Sequence, residues 1–105
     1  MKPELFSLKD RVIVITGAAG LLGRQHADAV AAFGGIPVLL DLFQDPVEQL
    51  ADDLSETHRV AAAGYAVDIT QEQQVKSNCL TVLKRFGRID GLINNAANNP
   101  KLENK

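Results

Sequence analysis

The segment Arg11-Val12-Ile13-Val14-Ile15-Thr16 is the strongest constraint on the fold, because its β-branched residues run without polar alternation straight into Gly17. Such a run reads as a strand buried on both faces, as in a parallel sheet covered by helices. A helical pattern follows, with Leu22, Ala29, Val30 and Phe33 on or near one face. It stops at Gly34-Gly35, where glycine supplies a left-handed cap. The chain therefore opens with a strand, a glycine turn and a helix.

The same alternation continues. Ile36-Pro37-Val38-Leu39-Leu40-Asp41 is a second apolar run that closes on an acid, with Pro37 near its start, where a missing ladder donor is tolerated. Asp45-Pro46-Val47-Glu48 predicts a helix start, with Asp45 as cap, Pro46 in the first helical position and Glu48 bonding back. Val47, Leu50, Ala51 and Leu54 then face the sheet. A third strand is expected in Ala63–Asp68, and Thr70 with Gln73 repeats the capping logic. Val75, Cys79, Val82, Leu83 and Phe86 form the apolar stripe of a third helix that ends at Gly87, so Cys79 is expected as a buried, inert thiol. Ile89–Asn94 gives a fourth strand, in which Asp90 either holds the strand's start through backbone contacts or is a plain turn residue.

Strands alternating with helices imply βαβ units with right-handed crossovers, hence an α/β Rossmann-type parallel sheet of order 3-2-1-4 with three crossover helices. That order places a switch point between the first and fourth strands, and a crevice opens there at the carboxyl ends of the strands. At 105 residues the chain is one domain's worth of protein, and no second folded domain is expected. With 46% hydrophobic and 23% charged residues it can bury a core. A net charge of −2 gives no electrostatic reason to expect nucleic acid or anionic membrane as a partner. The N-terminus has no long apolar run, so neither a signal peptide nor a membrane helix is expected. The single cysteine and two histidines lack metal-ligand spacing, so no metal is expected and a reducing cytoplasmic setting fits. His26 is expected to be a packed or partly exposed helical residue. His58, near a helix end, is expected to be a partly exposed cation favoured by the dipole.

Thr16-Gly17-Ala18-Ala19-Gly20-Leu21-Leu22-Gly23 lies between the first strand and first helix. Small residues let the backbone approach a diphosphate, while the free amides and positive dipole at the helix start attract its charge. A phosphate loop of the triphosphatase kind is excluded, since Arg24-Gln25 follow Gly23 where Lys-Ser/Thr would be required. Taken alone, spaced glycines also make an ordinary tight turn; Asp41 changes the balance. It follows Gly23 by 18 residues, at the end of the second strand, where a carboxylate can accept hydrogen bonds from the adenosine ribose of NAD and repel the 2′-phosphate of NADP. NAD is therefore the expected cofactor. No Lys or Arg stands at positions 18 to 21, and Arg24 is expected as a solvated helix residue; folded back toward the ribose instead, it would work against the choice of NAD.

Together these residues resemble the N-terminal, cofactor-binding part of a short-chain dehydrogenase/reductase. The likeness runs from Leu8 to Ala97 and rests on the Thr-Gly loop, Asp41, Val67-Asp68-Ile69-Thr70 and Asp90-Gly91-Leu92-Ile93-Asn94-Asn95-Ala96-Ala97. It implies that Gly17, Ala19, Gly20, Leu21, Leu22 and Gly23 surround the cofactor diphosphate, and that Asp41 and Leu42 flank its ribose. Asp68 and Ile69 would contact adenine, Asn94, Ala96 and Ala97 would wall the site, and Asn95 would be structural. The sequence departs from the family pattern at Leu21, where glycine is usual, and at Ala97, which replaces the last glycine of Asn-Asn-Ala-Gly. The family's catalytic Tyr-x-x-x-Lys has no counterpart, because Ile69 stands four residues after Tyr65, the only tyrosine; no serine follows the fourth strand.

No catalytic residue is therefore assigned. Residues 1–105 are expected to be the N-terminal half of an NAD(P)-binding Rossmann domain whose catalytic half is absent. This truncated piece of an NAD-dependent alcohol/carbonyl oxidoreductase is expected to be inactive alone. The alternative is a noncatalytic nucleotide-binding or interaction module. An exposed edge at Leu92-Ile93-Asn94 and an apolar patch are also expected, and with them a homo-oligomer, as for the parent enzyme.

Overall fold

The computed structural model describes residues 7–95. Within them the order is β1 (Val12–Thr16), α1 (Leu21–Ala32), β2 (Ile36–Asp41), α2 (Gln44–His58), β3 (Ala63–Ala66), α3 (Glu72–Phe86) and β4 (Gly91–Asn94). All pairings are parallel and the sheet order is β3-β2-β1-β4, as the alternation of elements requires. In register, Thr16 stands beside Leu40 on one side and Asn94 on the other, so the carboxyl ends of the three strands lie level.

The pleat of β1 and β2 divides the core in two. Ile15 and Leu39 face one layer with Val30 of α1 and Val47, Leu50 and Leu54 of α2. Val12, Val14, Val38 and Leu40 face the other, where Val82 is the one α3 residue buried. Both strands thus bury both faces, which explains the unbroken apolar runs. The first two crossover helices share a face and α3 takes the opposite one. The direction of winding therefore changes between β1 and β4, as expected.

α1 ends as predicted: Gly34 has φ +89°, and the amides of Gly34 and Gly35 donate to Ala31 and Val30 carbonyls. Its buried positions are Gly23, Ala27, Val30 and Ala31, whereas Leu22 and Ala29, expected on the buried face, are exposed. α2 starts one residue before the expected cap. Phe43 is the N-cap residue, no side chain caps the helix, and Asp45 lies in the first turn. The reason lies in Gln44, whose amide side chain donates to the Gly64 carbonyl and accepts from the Ala66 amide, both at 2.9 Å. That pairing draws Gln44 to the β3 edge and into the helix. Pro46 then falls within the first turn, where a missing N–H leaves no ladder bond unmade.

α3 departs further from expectation. Gln71, not Thr70, is its N-cap residue, and the Thr70 hydroxyl donates to Asp68 instead. Val75 and Leu83 are 38% and 43% exposed, and Cys79 is exposed rather than buried. Below α3 lies an apolar cavity of about 370 Å³ lined by Val14, Leu40, Val75, Cys79, Val82 and Leu92 among others. At the far side, Asp90 holds β4 to β1. Its carboxylate accepts from the Val12 amide at 2.8 Å, its own amide donates to the Val12 carbonyl, and Arg88 grips it with Nε and Nη2, each at 2.8 Å. Arg88 thereby keeps the Asp90 carboxyl below the usual carboxylate range. Asp90 is therefore the strand-holding residue, the first of its two expected roles. Among the described residues no helix is long and apolar enough to cross a membrane, and no cluster of side chains could hold a metal ion.

Candidate cofactor site

The β1–α1 loop is built around two glycines with distinct duties. Gly17 has φ +64°, a left-handed conformation that lets the chain turn sharply off the end of β1. Gly23 is buried in the first turn of α1, and a Cβ placed there would lie 2.2 Å from the Gly17 carbonyl oxygen, so the helix packs on the loop only because this residue has no side chain. Gly20 is different. Its φ is −77°, and a Cβ there would meet its nearest neighbour at an ordinary 3.4 Å. The protein itself does not demand glycine at position 20; close approach of an outside group would.

The loop's own amides are largely committed. Ala18 donates to the Leu40 carbonyl, Gly20 to the Gly17 carbonyl and Ala19 to Asp41 Oδ2 at 2.9 Å. The amides of Leu21, Leu22 and Gly23 have no acceptor among the described residues, and the first turn of α1 contains no acidic residue. Three donors and an unneutralised dipole thus converge at the start of α1, an arrangement suited to an anion. The side chains of Leu21 and Leu22, 76% and 60% exposed, leave the approach to those amides unburied.

Asp41 ends β2 beside this loop. Its Oδ2 accepts from the Ala19 amide and its Oδ1 from the Leu42 amide at 2.8 Å. A carboxylate oxygen accepts two hydrogen bonds, so each retains one acceptor position. Two acceptors held about 2 Å apart on one planar group match the vicinal hydroxyls of a ribose. Next to Asp41 opens a cleft of about 170 Å³, lined by Gly17, Leu40, Leu42, Val67, Asp68 and Ile69 together with Asp41 and Thr70. Asp68 is locked in place there by the Thr70 hydroxyl and amide, at 2.6 and 3.0 Å, which lower its pKa, and its own amide donates to Gln74.

The fold therefore brings Gly17, Asp41, Leu42, Asp68 and Ile69 to one cleft, with Ala19, Gly20, Leu21, Leu22 and Gly23 forming the loop and helix start beside it. Asn94 is placed differently. It ends β4, its Oδ1 accepts from the Thr16 hydroxyl at 2.7 Å, and it borders the larger cavity under α3. Asn95 joins the β4 end to α1 through a 3.0 Å contact between its side-chain Nδ2 and His26 Nδ1, a structural contact of the kind expected of it. Ala96 and Ala97 lie outside the described residues. Tyr65 stands on β3 beside Leu40, with its hydroxyl 3.3 Å from Arg85 Nη1. His58 pairs with Asp28 of α1 at 2.8 Å. Sequence reasoning missed one contributor, Thr70 as the group that orients Asp68. Arg24 is exposed, as expected of a solvated helix residue, while its Nε donates to the Ala19 carbonyl at 3.0 Å.

The larger cavity is a poorer candidate for a dinucleotide. Its lining is overwhelmingly apolar, whereas the smaller cleft adjoins the free amides and a fixed carboxylate, the groups that a diphosphate and a ribose require.

Known proteins resemble this chain in sequence and fold. The sequence profile of the short chain dehydrogenase family matches residues 11–104. An uncharacterized short-chain type dehydrogenase/reductase of Sinorhizobium fredii is 41% identical over 92 residues, which cover 88% of this chain and 16% of that protein. The NADPH-dependent 3-quinuclidinone reductase of Rhodotorula rubra superposes with a TM-score of 0.80 at 32% identity, over 86% of this chain and 34% of its own. An NAD+-bound xylitol dehydrogenase gives a TM-score of 0.76 at 32% identity, over 81% of this chain and 32% of its own. The chain thus spans about a third of the length of these solved relatives and less of the first. It belongs to the short-chain dehydrogenase family.

Proposed function

We propose that this chain is the NAD-binding half of an enzyme that moves a hydride between an alcohol or carbonyl substrate and the cofactor. The amides of Leu21, Leu22 and Gly23 hold the diphosphate, Asp41 accepts from the adenosine ribose, and Asp68 and Ile69 border the adenine. The single observation that carries the choice of NAD is the Asp41 carboxylate, anchored by two amides with one acceptor position left on each oxygen. That arrangement receives a ribose diol and repels a 2′-phosphate. When bound, the nicotinamide supplies the hydride chemistry. The chain's own part is to bind the adenosine end and orient the dinucleotide along the carboxyl edge of the sheet. Asn94, Ala96 and Ala97 are proposed to wall the nicotinamide side.

In this reading the catalytic residues belong to a segment beyond Lys105 of a longer protein, and the 105-residue chain alone is inactive. A cytoplasmic location is part of the proposal, supported by a lone cysteine. The apolar α3 face and the β4 edge, with Leu92 64% exposed, support self-association of the chain. Calorimetric titration tests the cofactor assignment. NAD is expected to bind about tenfold or more tightly than NADP, a difference of about 1.4 kcal/mol, and tighter binding of NADP would overturn the role given to Asp41.

A further inference from the structure

Thr16 and His26 stand on either side of the β1–α1 loop, Thr16 as the last residue of β1 and His26 in the second turn of α1. Asn95, the residue after β4, bonds to both. Its backbone amide donates to the Thr16 carbonyl at 3.3 Å, and its side-chain Nδ2 lies 3.0 Å from His26 Nδ1. Asn94 accepts from the Thr16 hydroxyl at 2.7 Å. The end of β4 is thus fastened to β1 within the sheet and to α1 across the crevice where the direction of winding changes. Among the described residues no other hydrogen bond joins the β4 end to α1. The His26 contact therefore sets how far the β4 end stands from the helix start that carries the free amides of Leu21, Leu22 and Gly23.

The chemistry of that contact is specific. An amide nitrogen can only donate, so Nδ1 is the acceptor and the ring proton sits on Nε2. His26 is half-buried, three residues after Gly23 and so on the same side of the helix. No carboxylate lies within ion-pair distance of it among the described residues, which makes the contact one between neutral groups. The core does not depend on the imidazole, since the buried positions of α1 are Gly23, Ala27, Val30 and Ala31. A leucine at position 26 removes the acceptor, whereas a glutamine supplies one in its side-chain carbonyl.

We propose that His26 is a positioning residue for the nicotinamide half of the cofactor: by holding Asn95 it fixes the end of β4 against α1, and with it the wall that Asn94 begins. The inference deepens the cofactor reading above and rests on it. Its consequence is a division within one ligand. The adenosine diphosphate end meets the loop amides and Asp41, which ends β2 on the opposite side of β1 from β4, and is indifferent to the His26 contact. The nicotinamide end lies beside β4 and depends on it.

The test is calorimetric titration of the full 105-residue chain with NAD and with ADP, for the wild type, His26→Leu, His26→Gln, Asn95→Ala and the variant combining His26→Leu with Asn95→Ala. His26→Leu should weaken NAD about fivefold, the worth of one neutral hydrogen bond, and leave ADP unchanged. His26→Gln should restore NAD binding. Asn95→Ala should reproduce the loss, and the combined variant should lose no more than either alone, as expected of two partners in one contact. Nitrogen NMR of the wild-type imidazole should find the proton on Nε2 and Nδ1 bare. Unchanged NAD affinity in His26→Leu, or a proton on Nδ1, would overturn the inference. So would an equal loss of NAD and ADP, which would assign His26 to holding α1 alone. In each of these cases NAD binding by the wild type leaves the cofactor reading standing, whereas a wild type that binds neither NAD nor ADP removes that reading and this inference with it.

Discussion

On one face of the sheet α1 and α2 bury Val30, Val47, Leu50 and Leu54 at 7% exposure or less, whereas on the other α3 buries Val82 and leaves Val75, Leu80 and Leu83 between 38% and 69% exposed. The difference follows from geometry. Strands about 4.8 Å apart make a four-stranded sheet roughly 15 Å wide, and a helix with its side chains is about 10 Å across. Two helices cover such a face and one does not, and the uncovered remainder is the cavity of about 370 Å³ beneath α3. The two edges differ in the same way. The β3 edge is closed by the Gln44 side chain bonded to Gly64 and Ala66, while among the described residues β4 pairs only with β1. The proposed cofactor site uses the finished side, since its loop, Asp41 and Gly23 all rest on the β1–α1–β2 unit.

The largest expected contrast between the faces comes from matched leucines. Leu54→Ala on α2 should destabilise the chain by about 3 kcal/mol, since it empties a closely packed site. Leu83→Ala on α3 should cost under about 1 kcal/mol, because the side chain is already half in water. Urea unfolding of both variants measures the difference, and equal losses would mean that the α3 face is as well packed as the other.

Glycines sharpen the comparison further. A Cβ on Gly64 would lie 2.4 Å from the Val47 carbonyl oxygen, a backbone contact that forces α2 to move, whereas one on Gly91 meets the movable end of Ile13 at 3.1 Å. Gly64→Ala should therefore cost about 2 kcal/mol and Gly91→Ala less than about 1 kcal/mol, read as shifts in thermal midpoint. Next in size is association. Leu92→Lys should place a charge at the open β4 edge and weaken any self-association severalfold, about 1 kcal/mol, as read by sedimentation over a concentration series. A wild type that stays monomeric across that series would contradict the proposed role of this face.

The smallest effect expected is on pH. Asp90 and Asp68 both have carboxyls lowered below the ordinary 3.8, by Arg88 and Thr70 respectively. A depressed folded pKa contributes stability that is complete above the unfolded value and is lost as pH falls through the folded one. Thermal midpoints should therefore decline below about pH 4, and Asp90→Asn should blunt that decline by removing the charge that clamps β4.

Much of this was readable in the sequence because the deciding features are local. β2 was bounded correctly by its apolar run, β1 to within its first residue, and the sheet order follows from alternation together with crossover handedness. Gly17 and Asp41 announced themselves by type and spacing. What escaped depends on contacts distant in sequence. The start of α2 is set by Gln44 reaching β3, 20 residues on, which no capping rule sees. Cys79 matched a buried stripe, but a stripe is buried only where something covers it. The contact of Arg24 with its own loop has a local reason: helical side chains lean toward the N-terminus, so a long one just after the last glycine reaches back over the loop.

The central claim is that a dinucleotide lies on the start of α1 and against Asp41, not in the larger apolar cavity. Amide chemical-shift mapping of the chain during titration with NAD tests this directly. The account predicts that the changes concentrate at Gly20–Gly23, Leu42 and Asp68–Thr70 and are lost in Asp41→Ala. Changes confined to Val75, Cys79, Val82 and Leu92 around the α3 cavity would contradict it.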